Sequence, residues 1–358
     1  MSDLMTTPNS IGALFQSPCD RSPRNTFVIA EAGVNHNGDI GLARRLVETA
    51  ARSGADAVKF QTFKAEKLVT RTAPKAGYQE ASTGTEETQF EMLRRLELSE
   101  DDHRELLTHC RELGIVFIST PFDEDSAEFL AELGVPLFKI PSGEVTNIPF
   151  LEHVAKFGRP ILMSTGMSYL GEVELAIRAI REVGNRDIAL LHCVSNYPAD
   201  PADVNLRAMK TMQDAFRVPV GYSDHTLGIE VSLAAVAVGA CAIEKHFTLD
   251  RNLPGPDHAS SVEPGELAAL VTGIRNVESA LGNGVKAPAA SEAGTAAVAR
   301  RSLVAERDIQ SGKALTLGMI AIKRPGTGLS PSMREALIGR LAKTDIAAGD
   351  LLTFDNIG

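Results

Sequence analysis

Two lysines lie inside short apolar runs of the sequence, where a charged side chain is uncommon. Lys59 stands in AVKFQ and Lys139 in LFKIP, and hydroxyl side chains follow similar runs at Thr120, Ser142 and Ser164. A buried lysine is rare unless it meets an anion. Two ammonium groups with several hydroxyls suit a small dianion such as a phosphate. The alternative is a lysine that snorkels at a strand end or pairs with a glutamate.

Two histidines, His225 and His246, also end apolar runs. Imidazoles with water and a carboxylate suit a divalent transition metal, so the pair predicts a metal site. Neither belongs to an H-x-x-x-H motif, and a histidine without a metal is the competing interpretation for each one alone. Two carboxylates, Glu31 and Glu144, follow runs of the same kind. Either could act as a general base, bind a hydroxyl or pair with a lysine.

The elements that position these residues form a repeating pattern of short apolar runs and amphipathic stretches. The pattern predicts eight strands: FVIAE (27–31), AVKFQ (57–61), VFIST (116–120), LFKIP (137–141), ILMST (161–165), ALLHC (189–193), VPVGYS (218–223) and AIEKH (242–246). Strands this apolar, alternating with helices, indicate a parallel sheet covered on both faces. Eight such units in about 260 residues predict a (β/α)₈ barrel, a TIM barrel. No G-x-G-x-x-G follows the first strand, which argues against a dinucleotide-binding fold.

A barrel of this kind carries its active site at the C-terminal ends of its strands. Polar residues follow all eight predicted strands, which purely structural loops would not require. Besides the residues above, Ser223 closes the seventh strand and is predicted to contact substrate. Asp257, in the GPDH phrase after the eighth strand, is a further polar candidate, with an ordinary loop as the alternative.

Four segments are predicted along the chain. Residues 1–25 are polar and lack periodicity, so we expect a flexible tail outside the fold. The barrel occupies 26–281, and the stretch at 282–297 is predicted to be a linker. Residues 298–358 carry short strands and turns and predict a small, mostly β domain. Its two phrases DIQSG and DIAAG suggest an internal two-fold repeat. Its KRPGTG run is predicted to present Arg324 at the tip of a loop, although such a run is usually a solvated basic turn.

The composition limits the possible classes of function. The 358 residues include 36 basic and 46 acidic side chains, a net charge of −10, which argues against nucleic-acid binding. The most apolar stretch, 231–243, is too short to span a bilayer, which takes ~18 apolar residues. The first 25 residues do not resemble a signal peptide. Four cysteines without paired or metal-type spacing predict reduced thiols and a cytoplasmic enzyme.

The chain resembles the sialic acid synthase family, the phosphoenolpyruvate-condensing enzymes that make nine-carbon 2-keto sugar acids. The resemblance runs from about residue 27 to residue 356 and rests on ten ordered phrases: AEAGVNHNGD, GADAVKFQT, FISTPFD, FKIPSGE, STGM, LLHCVSNYP, GYSDHT, EKHFTLD, GPDH and KRPGTG. It implies a (β/α)₈ barrel joined to a small antifreeze-like domain. It also implies a domain-swapped homodimer, in which the small domain of one subunit covers the barrel mouth of its partner.

The resemblance implies a role for each candidate residue. Phosphoenolpyruvate would be held by Lys59, Thr120, Lys139, Ser142 and Ser164. A divalent ion, usually Mn²⁺ with Mg²⁺ or Co²⁺ as alternatives, would be bound by His225 and His246. The acceptor sugar and the attacking water would be surrounded by Glu31, Gln61, Glu144, Tyr197 and Asp257. Arg324 of the partner subunit would reach the acyl-amino group of the acceptor.

The expected reaction joins phosphoenolpyruvate to the open-chain aldehyde of an N-acylated mannosamine-type sugar, with C–O cleavage and release of phosphate. N-acetylmannosamine, which gives N-acetylneuraminate, is the first choice of acceptor. The close alternative is 2,4-diacetamido-2,4,6-trideoxymannose, which gives N,N'-diacetyllegionaminate. From other classes, the chain could be a non-catalytic sugar-binding protein, or a metal-dependent aldolase or hydrolase that does not need phosphoenolpyruvate. A phosphate-release assay distinguishes these alternatives.

Overall fold

A computed structural model describes residues 11–15, 25–84 and 86–358 of the chain. The chain divides into two compact units, Met1–Gly282 and Asn283–Gly358. The prediction of a flexible tail at 1–10 and 16–24 lies outside the described residues. Among the helices that the structure describes, none is both long and apolar enough to cross a bilayer.

The first unit contains eight parallel strands, and each overlaps one of the predicted runs. Their bounds are β1 (Phe27–Gly33), β2 (Ala57–Thr62), β3 (Val116–Pro121), β4 (Phe138–Ile140), β5 (Ile161–Ser164), β6 (Ile188–His192), β7 (Val220–Asp224) and β8 (Ala242–His246). The strands pair in the order β3-β2-β1-β8-β7-β6-β5-β4. Strands β3 and β4 are neighbours in space, but within the described residues no hydrogen-bonded ladder joins them. The predicted (β/α)₈ architecture is confirmed as a nearly closed barrel.

Thirteen helices are present in the described residues: α1 (Ile11–Leu14), α2 (Ile40–Arg52), α3 (Ala65–Leu68), α4 (Gly77–Thr83), α5 (Gln89–Arg95), α6 (Glu100–Leu113), α7 (Glu124–Leu133), α8 (Ile148–Ala155), α9 (Leu170–Glu182), α10 (Arg207–Phe216), α11 (Glu230–Ala237), α12 (Pro264–Leu281) and α13 (Ala293–Ala299). Each strand of the barrel is followed by an outer helix: α2, then α6 to α12. Between β2 and α6 the chain carries three extra short helices, α3 to α5. We call residues 63–99 the insert.

Helix α6 shows how the local sequence sets the ends of an outer helix. At its start the Ser99 hydroxyl accepts from the backbone N–H of Asp102 at 3.1 Å, and the Asp102 carboxylate accepts from the backbone N–H of Ser99 at 2.8 Å. This reciprocal capping box satisfies two backbone donors that the helix leaves free. At its end Gly114 takes a left-handed conformation, with φ of 69°, which stops the helix.

A short helix near the N-terminus packs against the bottom of the barrel. Ile11 and Leu14 of α1 are 1% and 2% exposed, and they join the cluster of apolar side chains inside the barrel that includes Phe27, Leu137 and Leu162. The prediction that residues 1–25 lie outside the fold is therefore wrong for 11–15. A helix of four residues is too short to show a hydrophobic period, so the sequence pattern did not reveal it.

The second unit has its own small core and two antiparallel strands, β9 (Ser302–Ala305) and β10 (Ile320–Lys323). Its remaining pairings in the described residues are isolated bridges. Residues 282–292 of the predicted linker are exposed, but helix α13 begins within it at Ala293. The run AGTAAVA is rich in alanine, the residue with the highest helix propensity, which accounts for this helix.

The two phrases DIQSG and DIAAG hydrogen-bond to each other. Ile309 and Ile346 exchange backbone hydrogen bonds, each of 2.8 Å. The Asp308 carboxylate accepts from a backbone N–H of the second phrase at 2.8 Å, and the Asp345 carboxylate accepts from one of the first phrase at 2.7 Å. The two phrases therefore make equivalent contacts in opposite directions, as the suggested two-fold repeat requires.

Candidate active site

A cavity of about 400 Å³ opens at the C-terminal ends of the barrel strands. Its lining brings together twelve of the fourteen predicted site residues: Glu31, Lys59, Gln61, Thr120, Lys139, Ser142, Ser164, Tyr197, Ser223, His225, His246 and Asp257. They come from every strand of the barrel or the loop that follows it. The cavity is thus built where a (β/α)₈ barrel places its chemistry.

Lys59 is the centre of a buried network on one side of the cavity. Its Nζ lies 3.0 Å from Glu31 Oε2 and 3.7 Å from Glu244 Oε2, and it donates to the Thr120 hydroxyl at 3.0 Å. Burial alone would lower the pKa of Lys59, but the two carboxylates outweigh it and raise that pKa. Lys59 is therefore a buried ammonium group held between two carboxylates. The lysine–glutamate pairing that the sequence left open is present.

Lys139 lies on the same side and is 2% exposed. Its Nζ donates to the Ser164 hydroxyl at 2.7 Å and lies 3.7 Å from Glu244 Oε1. Burial lowers the pKa of Lys139, and Glu244 opposes that shift. The hydroxyl of Ser142 accepts from the backbone N–H of Gly166 at 2.9 Å and lines the cavity beside it. Two ammonium groups and three hydroxyls thus converge on one volume, the donor set that a phosphate requires.

Two buried carboxylates in this network have opposite acidities. Burial raises the pKa of Glu31 to about 7, although Lys59 opposes the shift. Burial would also raise the pKa of Glu244, but Lys139, Lys59 and the Ser223 hydroxyl lower it to about 2. Glu244 is therefore ionised at neutral pH, whereas Glu31 is close to its midpoint. Such a divergence between neighbouring carboxyls is typical of sites that transfer protons.

A bulge at the end of β1 presents the Glu31 side chain to the cavity. The pairing of β1 with β2 shifts register between Glu31 and Gly33. Gly33 has a φ of 53°, and a Cβ there would lie 3.2 Å from Glu31 Oε1. Glycine is favoured at this position because it adopts the left-handed conformation without strain and leaves room for the carboxylate. Gln61 Nε2 lies 3.5 Å from the same oxygen.

The two predicted metal ligands lie side by side in the same cavity, next to the lysine network through Ser223. The ring centroids of His225 and His246 are 5.5 Å apart, and the Tyr197 ring packs 4.1 Å from His225. His225 Nδ1 lies 2.6 Å from the Val194 carbonyl, which can only accept, so Nδ1 carries the proton. Nε2 therefore presents a lone pair, 3.4 Å from the Ser223 hydroxyl. Burial lowers the pKa of His225 to about 4 and that of His246 well below its ordinary value.

These histidines fit a divalent metal. Both are neutral, the form that binds metals, and a hydrogen bond to a carbonyl fixes the tautomer of His225, as is usual for metal ligands. In the described part of the chain, the buried His246 Nδ1 makes no hydrogen bond and lies 3.8 Å from Asp257 Oδ2. No group of three or more metal-ligating side chains occurs among the described residues. A metal here would therefore take its remaining ligands from water or substrate.

Comparison with known proteins shows the family. The model of the NeuB family matches residues 46–286, and the model of the SAF domain matches residues 300–358. The chain belongs to the NeuB family. It is 49% identical to N,N'-diacetyllegionaminic acid synthase of Campylobacter jejuni, over 92% of this chain and 99% of the relative, and 50% identical to that of Legionella pneumophila, over 94% and 96%.

A solved structure agrees with this assignment. The crystal structure of N-acetylneuraminic acid (sialic acid) synthetase from Leptospira borgpetersenii is 36% identical with a TM-score of 0.68, covering 78% of this chain and 95% of that one. The resemblance to the sialic acid synthase family and the barrel followed by an antifreeze-like domain are both confirmed. The chain is an enzyme of the nonulosonic acid synthase family.

In this NeuB-family chain, Glu144 is the predicted residue of the first unit that does not line the cavity, and Arg324 belongs to the second unit. Glu144 is half-buried on the turn after β4, where its Oε2 accepts from the Asn147 amide at 2.6 Å. Arg324 is exposed and follows β10 in the second unit. Their roles, like those of the twelve lining residues, remain predictions.

Glu244 is one of the polar residues at the predicted strand ends, but the sequence analysis gave it no role; in the structure it lines the cavity between the two lysines. The signal that could have found it is the two-residue alternation of β8, which places Glu244 on the same face as His246. The insert also contributes to the lining in ways that the sequence did not predict. Tyr78, on α4, packs against Tyr197 with ring centroids 5.0 Å apart.

Proposed function

We propose that the chain condenses phosphoenolpyruvate with the open-chain aldehyde of an N-acylated mannosamine-type sugar and releases phosphate. The observation that carries the proposal is the pairing of two donor sets in one cavity. The cavity offers the buried ammonium groups of Lys59 and Lys139 with their hydroxyl partners, together with the neutral imidazoles of His225 and His246. The ammonium groups suit an anion, and imidazoles that hold a metal suit an aldehyde oxygen.

The lysines would bind the phosphate and carboxylate of phosphoenolpyruvate. The Thr120 and Ser164 hydroxyls accept hydrogen bonds from the two lysines, so their own O–H groups are free to donate to phosphate oxygens. The chain carries a net charge of −10, which repels an anion at a distance. A local positive field inside the cavity is therefore needed to bind one.

The condensation requires carbon 3 of phosphoenolpyruvate to attack the aldehyde, which leaves positive charge at carbon 2. Water then adds at carbon 2, and the C–O bond to phosphate breaks. We assign to Glu31 the acceptance of the proton from this water, since its pKa of about 7 suits a general base at neutral pH. Glu144 remains the alternative base. Holding both substrates in one cavity supplies the orientation that such a reaction depends on.

A divalent metal, Mn²⁺ by preference, would be held by His225 and His246 and would act as a Lewis acid toward the aldehyde oxygen. Asp257, whose pKa burial raises to about 6, lies 3.8 Å from His246 and would hold a proton within the cavity. The proposal also includes a swapped homodimer and a cytoplasmic location.

For the acceptor we propose 2,4-diacetamido-2,4,6-trideoxymannose, with N,N'-diacetyllegionaminate as the product. Support comes from the two relatives of that name, which are about half identical over nearly their whole length. N-acetylmannosamine is the second candidate, because the Leptospira synthetase is 36% identical and covers 78% of this chain.

The test is a phosphate-release assay with phosphoenolpyruvate, Mn²⁺ and each acceptor in turn, with the product identified by mass. We expect release that depends on the acceptor and equals the amount of nine-carbon acid formed. Release at the same rate without an acceptor would indicate a phosphatase and contradict the proposal. Turnover of a sugar without phosphoenolpyruvate would indicate an aldolase or hydrolase instead.

A further inference from the structure

The cavity has a charged side and an apolar side. The charged side comes from the strand ends described above. The apolar side is contributed largely by the insert, through Leu68, Val69, Met92, Leu93 and Leu96. A condensation of two charged or hydroxylated molecules does not by itself require such a surface, so the apolar side needs its own explanation.

The apolar side is a separate cluster rather than an extension of the barrel core. Its buried members are Val34, Phe63, Met92 and Leu96, with Leu68, Leu93 and Phe122 packed partly buried against them. Leu68, Val69 and Leu93 are half-buried and line the cavity. Their remaining apolar surface therefore faces the space that a substrate would occupy. A hydroxyl or phosphate placed against it would lose its hydrogen bonds to water without replacement.

The distribution of charge in the lining also argues against a phosphate on the apolar side. Among the lining residues in the described part of the chain, the only lysines are Lys59 and Lys139, and there is no arginine. Both lysines lie within ion-pair distance of buried carboxylates on the charged side. The apolar side thus has no cation of its own to hold a second phosphate.

Two carboxamides accompany the apolar residues. Gln79 and Gln89 both line the cavity, and Gln89 Nε2 donates to Gln79 Oε1 at 3.2 Å. Gln79 Oε1 also accepts from the backbone N–H of Ala76 at 2.9 Å, which fixes its orientation. An amide side chain offers both a donor and an acceptor, as an acylamino group needs.

We propose that the insert is the element that selects the acceptor, and that it selects a 6-deoxy hexose bearing acylamino groups over one with a free or phosphorylated 6-hydroxyl. The methyl groups of the sugar and its acyl substituents pack on Leu68, Val69 and Leu93. This inference rests on the proposed condensation. Val69 and Leu93 are therefore specificity-determining residues, distinct from the groups that bind phosphoenolpyruvate.

The experiment compares kcat/KM for three acceptors: 2,4-diacetamido-2,4,6-trideoxymannose, N-acetylmannosamine and N-acetylmannosamine 6-phosphate. The variants are Val69→Thr, which exchanges one methyl for a hydroxyl at the same volume, and Leu93→Asn. Val238→Thr is the matched control, because Val238 is 59% exposed after α11 and does not line the cavity. Thermal unfolding of each variant verifies that it is folded.

We expect the wild-type chain to prefer the deoxy acceptor at least tenfold. Val69→Thr should reduce that preference about tenfold, the usual effect of changing one group in an apolar pocket. The reduction should come from a higher KM for the deoxy acceptor. The KM for phosphoenolpyruvate should stay within about twofold, and the control should match the wild type. An unchanged preference in both folded variants, or a wild-type preference for either 6-oxygenated acceptor, overturns the inference. Absence of phosphate release with every acceptor overturns the proposed condensation itself.

Discussion

Replacing Lys139 by methionine tests the anion site directly. Lys139 is 2% exposed, donates to Ser164 at 2.7 Å and lies 3.7 Å from Glu244. Methionine is similar in length and carries no charge, so the change removes the ammonium group without leaving a large void.

The size of the effect follows from the contacts that are lost. A hydrogen bond to a charged group is worth ~1.5–3 kcal/mol, which corresponds to about 10- to 150-fold in affinity. Without Lys139, Glu244 keeps only Lys59 at 3.7 Å and the Ser223 hydroxyl at 2.9 Å, and its carboxylate faces the incoming phosphate. We therefore expect the KM for phosphoenolpyruvate to rise toward the upper end of that range. The KM for the sugar acceptor should change much less.

The assay is initial-rate phosphate release with phosphoenolpyruvate varied at a saturating acceptor concentration. Lys210→Met is the control, because Lys210 lies on the exposed face of α10. The double variant Lys139→Met with Glu244→Gln should recover part of the lost affinity, since it removes the uncompensated carboxylate. If the KM for phosphoenolpyruvate in folded Lys139→Met stays within about twofold of the wild-type value, Lys139 is a structural residue and the reasoning is refuted.

Three further predictions follow from the same cavity. Because burial raises the pKa of Glu31 to about 7, kcat/KM should fall as the pH drops below 7 and the carboxyl takes up a proton. Glu31→Gln should abolish turnover. A kcat/KM that stays constant down to pH 5 would contradict the assignment of Glu31 as the general base. A chelator should abolish turnover and Mn²⁺ should restore it, while His225→Ala should weaken Mn²⁺ binding measured by electron paramagnetic resonance; full turnover in a verified metal-free sample would end the metal proposal. Equal amounts of Glu31→Ala and Arg324→Ala chains, unfolded and refolded together, should regain about a quarter of wild-type activity if the small unit of one chain completes the barrel of its partner. Activity at the level of the separate variants, with mixed dimers verified by mass, would contradict that arrangement.

Much of the barrel could be predicted because its signals are local. A strand buried on both faces must be apolar, so a lysine inside such a run, as at Lys59 or Lys139, is visible at once. Glu244 was harder to assign because the charged Lys245 follows it in AIEKH, and a sequence does not show which face of the strand is interior. In the structure Lys245 is buried as well, paired with Asp224 at 2.9 Å, so both faces of β8 carry charge.

The insert could not be predicted in the same way. Its helices have four to seven residues, shorter than a segment that is stable as a helix by itself, so packing rather than propensity determines them. The apolar side of the cavity depends on how these helices pack over the barrel, which is information from distant parts of the chain. The same limit applies to α1, whose two buried residues pack on strand ends far away in sequence.

The reciprocal contacts between DIQSG and DIAAG have a consequence for how the second unit unfolds. The aspartate carboxylate of each phrase accepts a hydrogen bond from a backbone N–H of the other phrase. The two isoleucines also exchange backbone hydrogen bonds. Neither half can open without leaving the other with unpaired backbone groups, so the two halves must open in a single cooperative step. Hydrogen exchange should therefore give the amides of Ile309 and Ile346 one common opening free energy, and a mutation in either phrase should lower both equally.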